Sequence, residues 1–183
     1  MSRLKKPALI VIDVQNYFFQ KGFHAYIRSS QKIIKPINHL IKLFLNHNFE
    51  TIFTKQVFPK NKSHPMRIWW RRLPKGNECD LYDKLLIPNK SIIINKESYS
   101  AFFSTNLDNV LSKKKIKRLF FCGVMTHLCV ETSIRDAFMR GFECFLIEDA
   151  TTSKDSAHHK ASVLNLRHGF CRILNSEEVY EYL

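Results

Sequence analysis

Six short runs of mostly apolar residues punctuate the chain, at 8–13, 51–54, 91–95, 118–124, 143–148 and 170–174. In most of them the apolar character is continuous rather than alternating, the pattern of parallel strands covered on both faces. Between the runs, 30–47, 104–115, 127–140, 155–168 and 176–183 read as helices. Within 127–140, Val130, Ile134, Ala137 and Phe138 recur at helical spacing, and Gly141 supplies a stop. Strand and helix in alternation predict a three-layer α/β/α sandwich with a six-stranded, parallel, doubly wound sheet. At 183 residues the chain suits one domain, and no internal repeat of fixed period alters that picture.

One stretch breaks the rhythm. Residues 55–90 are too long for an ordinary connection and carry Trp69 and Trp70 among Arg67, Arg71 and Arg72. Insertions of this length serve as lids, binding loops or contact surfaces, so a lid or a subunit contact is expected here.

Composition narrows the class. The chain is 45% hydrophobic and 25% charged, ordinary globular usage that argues against disorder. No apolar run approaches the roughly 18–20 residues of a membrane span, so no membrane partner is expected. The basic start, 1–6, leads into an apolar run that breaks at Asp13, too early for a signal peptide. A cytoplasmic location follows as the expectation. Lys and Arg outnumber Asp and Glu by 29 to 16, a formal charge of +13. That excess fits either an acidic partner or a lysine-rich solvated surface. Without a nucleic-acid motif the second reading stands, and no specific nucleic acid is expected. The five cysteines are odd in number and form no CxxC pair, against a disulfide framework or structural zinc. Cys122, Cys144 and Cys171 lie in apolar runs, where thiols pack as small hydrophobes.

Open parallel sheets bind ligands beyond the carboxyl ends of their strands. Three reactive residues fall there: Asp13 closes the first strand, Lys96 follows the third, and Cys129 follows the fourth by a short turn. Thr126 is a suitable N-cap for the helix carrying Cys129, whose free N–H groups and dipole favour a thiolate. Asp13 can accept the thiol proton, and Lys96 can stabilise the resulting charge. His127, two residues from Cys129 on a helix, should face elsewhere. A buried structural thiol remains the competing account of Cys129 on spacing alone.

Three segments together resemble the isochorismatase-like cysteine hydrolase superfamily: Asp13 in IVIDVQ, Lys96 in KESYSAF, and Cys129 in GVMTHLCVET. The later RDAFMRG and EDAT stretches at 135–141 and 148–151 are similar too. The family contains nicotinamidases, N-carbamoyl and ureido-acid amidohydrolases, and isochorismatases. The resemblance implies a catalytic triad of Asp13, Lys96 and Cys129, with a thioester formed by attack on an amide or ureide carbonyl. It also implies an oxyanion hole from the backbone N–H groups of Met125 and Cys129, and a cis peptide between Val124 and Met125. Family resemblance further favours a homo-oligomer.

Two departures narrow the substrate. Nicotinamidases hold a metal with an Asp-x-His pair after the second strand, where this chain reads Gln56-Val57-Phe58, leaving only His64. One histidine does not make a catalytic zinc site, so neither a nicotinamidase nor a metal or other cofactor is expected. Isochorismatases that cleave a vinyl ether often lack the cysteine; its presence favours a small amide, carbamoyl or ureido substrate. The vinyl-ether reaction and a non-catalytic basic binding role are the alternatives. Phe18, Phe19, Gln56, Trp69, Trp70, Tyr99 and Phe102 are the candidate pocket walls, with core or dimer contact as the competing role. Arg67, Arg71 or Arg72 offer a bidentate partner for a substrate carboxylate. Gln15 and Asn16 are candidates to orient Asp13, Asp149 suits a turn or cap, and His158 and His159 read as surface residues.

Overall fold

The computed structural model describes residues 6–183; the basic start at 1–5 lies outside the described residues. Six strands, β1 (Lys6–Ile12), β2 (Glu50–Gln56), β3 (Ile92–Lys96), β4 (Ile116–Val124), β5 (Glu143–Thr152) and β6 (Arg172–Leu174), form one sheet in the order β3-β2-β1-β4-β5-β6. Every pairing is parallel. The chain winds outward from β1 in one direction and from β4 in the other, so the strand order switches between these two central strands.

Side-chain alternation along β1 divides the interior. Leu9 and Val11 pack with Ile33, Ile37, Leu40, Ile41 and Phe44 of α2 (Ser30–Asn46). Ala8, Ile10 and Ile12 face the opposite layer. That layer is made by α4 (Leu107–Lys113), α5 (Glu131–Met139) and α6 (Ser156–Gly169), through residues such as Leu111, Ile134 and Leu166. Each fully buried Leu, Ile or Phe of these layers contributes about 1.5–3 kcal/mol of apolar burial. The three-layer α/β/α architecture is the one the hydrophobic pattern predicts.

Several boundaries move for local reasons. The helix expected from 104 starts at Leu107, because Ser104 lies at φ +55° and the Thr105 hydroxyl donates back to the Ala101 carbonyl. The C-terminal helix is a 3₁₀ turn, Glu178–Tyr182, that buries Val179. β3 is an edge strand, which leaves Ile93 exposed. β5 runs on to Thr152, with a break in register between the pairs Phe121–Leu146 and Gly123–Thr151. Asp149 in that irregular stretch accepts from the Ser176 N–H (2.8 Å) and hydroxyl (2.6 Å), tying down the C-terminal segment. In the cation-rich stretch 113–118, Lys114 and Arg118 pair with Glu50 and Glu143. Among the described residues no helix is long and apolar enough to cross a membrane.

The approach of β4 to β1 sets up the site. Gly123 has φ +109°, and a Cβ there would stand 2.1 Å from the Ile12 carbonyl oxygen. Only glycine allows the two strand ends to close this tightly. The residues that follow on each strand therefore leave the sheet side by side.

Candidate active site

Asp13 follows β1 with φ +50°, a left-handed conformation that Asp tolerates better than most residues. Its backbone N–H donates to Thr54 Oγ1 (3.1 Å), and the Thr54 hydroxyl donates to Asp13 Oδ1 (2.6 Å). The other carboxylate oxygen, Oδ2, lies 2.7 Å from Lys96 Nζ, with both side chains wholly buried. Lys96 Nζ also donates to Gln56 Oε1 (2.7 Å) and to the Ser98 carbonyl (3.0 Å). Its register partner across the sheet is Gln56, which explains how the end of β2 positions the ammonium. Burial alone would lower the Lys96 pKa; the adjacent Asp13 carboxylate and Cys129 outweigh it and hold the group above its ordinary value.

Gln15 locks this corner. Its amide nitrogen donates to the Gln56 (3.2 Å) and Cys79 (2.8 Å) carbonyls, and its oxygen accepts from the Gln56 N–H (2.8 Å). Asn16 donates to the Asn77 carbonyl (3.0 Å). Both side chains thus pin the long insertion to the end of β1 rather than orienting the Asp13 carboxylate.

From the other side of the switch, β4 leads through the Val124–Met125 peptide, which is cis, into a π-helical turn, Thr126–Val130. Cys129 sits in that turn, 5% exposed, close enough to Asp13 and Lys96 for both charges to act on its thiol. Thr126 is not the N-cap the sequence suggests. Met125 precedes the turn, and Thr126 is buried with its hydroxyl 2.9 Å from His159 Nδ1.

The thiol also differs from expectation. Burial pushes the Cys129 pKa up to about 12; Lys96 pulls it down, and Asp13 pushes it up again. Desolvation exceeds the help from Lys96, so in the free protein the sulfur carries its proton. Cys144 and Cys171 are likewise raised to about 12 by burial. All three exceed the ordinary thiol value of about 9, so between these limits the folded chain holds protons that the unfolded chain has lost. Lys96 acts in the same sense, its contribution being lost as pH rises through its raised folded pKa. Folding stability is therefore expected to fall steadily from about pH 9 towards 12, as denaturant melts across that range would show; a flat profile would contradict these thiol assignments.

Above Cys129 opens a cleft of about 300 Å³. Of the pocket residues expected from the sequence, Phe18, Gln56, Trp70 and Tyr99 line it, and Trp70 Nε1 donates to Tyr99 Oη (2.8 Å). Three do not. Phe19 is in the core against Tyr82, because the short helix α1 (Asn16–Phe19) turns successive side chains in different directions. Phe102 packs inside the opposite layer, against Phe142. Trp69 points away from the cleft and is 76% exposed, since α3 (Pro65–Trp69) directs Met66 inward. The insertion therefore contributes cleft wall through Met66, Trp70, Arg71 and Arg72. Arg67 instead donates to the Pro59 carbonyl.

His127 lines the cleft, with its Nδ1 2.9 Å from Ser153 Oγ rather than on Cys129. The adjacent pair His158-His159 does face apart; His158 is at the surface as expected, its side chain 59% exposed, and His159 is not. His159 is half-buried against Thr126, whereas His158 stacks on His127 at 4.5 Å in the cleft wall. Lys154 and Phe58 also line the cleft and were not among the candidates. The strand-end rule, applied to the segment after β5, points to the region of Lys154 and His158. At the position where a metal-binding relative would carry Asp-x-His, Gln56 Oε1 is turned to Lys96. His64 Nδ1 accepts from the Met66 N–H and caps α3.

The fold is a doubly wound α/β sheet with its cleft at the switch in strand order, the position where such sheets bind ligands. Residues 7–178 match the isochorismatase domain family, and the chain belongs to that family of hydrolases. It is 42% identical to a ureidoacrylate amidohydrolase of Agrobacterium fabrum, covering 80% of this chain and 75% of the relative. It is 28% identical to nicotinamidase 3 of Arabidopsis thaliana, over 96% and 87% of the two chains. A cysteine hydrolase from Pseudomonas syringae shares the fold, with a TM-score of 0.91, 23% identity, and 97% and 92% coverage.

Proposed function

We propose that the protein is a metal-independent cysteine hydrolase that cleaves a C–N bond in a small amide, carbamoyl or ureido compound. The observation that carries this reading is the buried Asp13–Lys96 pair, 2.7 Å apart, within reach of a thiol on the cleft floor. A structural cysteine needs no such apparatus. Burying two charges costs several kcal/mol per ion before pairing repays it, a cost expected where the pair has chemical work.

The buried pair and the family resemblance support the following sequence of steps. Substrate enters the cleft, and Asp13 takes the Cys129 proton as the sulfur attacks the carbonyl carbon. Lys96 stabilises the negative charge that passes between carboxylate and sulfur. The oxyanion is received by the backbone N–H groups of Met125 and Cys129. The C–N bond then breaks, and Asp13 returns its proton to the departing nitrogen. Water attacks the thioester, giving its proton to Asp13, and the released sulfur recovers that proton. A raised thiol pKa suits this sequence, because the nucleophile is formed only when substrate is present to use it.

Ammonia release from a panel of small amides and carbamoyl or ureido acids identifies the substrate. Prolonged chelation before assay should leave that activity intact. Loss on chelation that zinc restores would refute the metal-independent mechanism.

A further inference from the structure

We propose that the solvent face of α2, joined by Lys84 of the long insertion, is a docking surface for the phosphate backbone of a nucleic-acid duplex. It shares no residue with the cleft above Cys129, so it stands apart from the hydrolase reading.

The chain carries no acidic residue from Val14 to Phe49, a stretch that holds Lys21, Arg28, Lys32, Lys35 and Lys42. Among the described residues none of these five has an ion-pair partner. Exposed helix faces ordinarily interleave the two signs, as α5 does with Glu131–Arg135 and Asp136–Arg140. On α2 the buried face takes Ile33, Ile37, Leu40, Ile41 and Phe44. Lys32, Lys35, His39 and Lys42 follow one another at spacings of three and four on the exposed face.

This arrangement works against the helix. Lys32 lies in the first turn, which holds no acidic residue and where the dipole disfavours a cation. Lys32 and Lys35, three apart, repel each other. An anion lying along the face would offset both effects. The fold adds a further cation at the same place. Asn38 donates to the Lys84 carbonyl (2.9 Å) and accepts from the Leu86 N–H (2.8 Å), clipping the insertion to α2. Lys84 thereby joins Lys35, His39 and Lys42 around a groove of about 620 Å³ that no acidic side chain lines. Asp83, exposed beside Lys84 in sequence, is not among the lining residues.

The occupant follows from what this groove offers. It contains no Phe, Tyr or Trp, so unpaired bases find no stacking platform. The apolar face of α2 is already buried in the core, and its exposed Leu45 lies outside the groove, which leaves little to enter a lipid surface. What remains is a row of cations about 15 Å long from Lys32 to Lys42. A duplex lying along such a row presents several phosphates to it. Contacts of that kind position a duplex without reading its bases, so no recognition motif is required.

Fluorescence anisotropy of a labelled DNA duplex of about 20 base pairs, titrated with the whole chain at rising salt, tests this. Wild type should bind with a Kd of about micromolar order at low salt, and two unrelated sequences should bind alike. Lys35→Gln/Lys42→Gln/Lys84→Gln should weaken binding about tenfold or more and flatten the plot of log K against log salt by about 0.9 per lysine removed. All three side chains are exposed, so the variant should fold as wild type does. A control, Lys113→Gln/Lys117→Gln/Lys160→Gln, removes as many exposed charges from the opposite layer and should bind within about twofold of wild type. An equal fall in the control overturns the proposal, by tracing the attraction to the overall charge. No binding by wild type at low salt, or a strong preference between the two sequences, also overturns it. Vesicles of equal parts phosphatidylserine and phosphatidylcholine are the competing probe. Tighter binding to them than to the duplex, lost in the α2 variant, would assign the face to a membrane surface and overturn the duplex.

Discussion

Replacing Cys129 by Ala is expected to abolish turnover, by about 10⁴-fold or more, while the protein stays folded. The sulfur makes the covalent bond in this account, and no neighbouring side chain replaces it. Asp13 and Lys96 are held by each other, by Thr54 and by Gln56, so removing the thiol leaves their network standing. The stability cost should be about 1 kcal/mol, that of deleting one small buried group. Part of the alkaline instability should also disappear, since one of the raised thiols is gone. A folded Cys129→Ala protein that still turns substrate over would remove the cysteine from the chemistry.

Replacing Lys96 by Met acts differently, because it attacks the fold and the chemistry together. Asp13 would remain as a buried carboxylate with only Thr54 to meet it. Breaking a buried pair from one side costs about 3–5 kcal/mol, since the remaining charge has no compensation. Asp13→Asn/Lys96→Met should recover much of that loss, as removal of both charges removes the penalty. Activity should be lost in both variants. Denaturant melts of the two single variants and the double variant measure the coupling directly. Additive losses would mean that the two side chains do not interact as their 2.7 Å separation requires.

Much of this site was legible in the sequence, because strand ends in a parallel sheet carry ligand-binding residues whatever the protein does. Asp13 follows β1, Lys96 ends β3 and Cys129 follows β4 by a short turn, and chain order alone placed them at one end of the sheet's strands. Orientation within short helices was not legible. Phe18 and Phe19, or Trp69 and Trp70, are adjacent in sequence, yet one of each pair faces the cleft and the other does not. That choice depends on where α1 and α3 begin, which a propensity argument fixes only to within a residue or two. His158 was passed over for the same reason: neighbours on a helix face apart, but the sequence does not say which of them faces the cleft. The thiol was misjudged because sequence names the charges near Cys129 and not the depth of its burial. Here burial is the larger effect.

The covalent intermediate is the claim on which the rest depends. The most direct measurement adds increasing hydroxylamine to the wild-type reaction, with a substrate identified by ammonia release, and quantifies hydroxamate against free acid. A thioester on Cys129 predicts that hydroxamate, or the corresponding hydroxyurea from a carbamoyl group, replaces the hydrolytic product as hydroxylamine rises, with none formed by Cys129→Ala. Continued ammonia release with only the hydrolytic product at every hydroxylamine concentration, and the same turnover in Cys129→Ala, would contradict it.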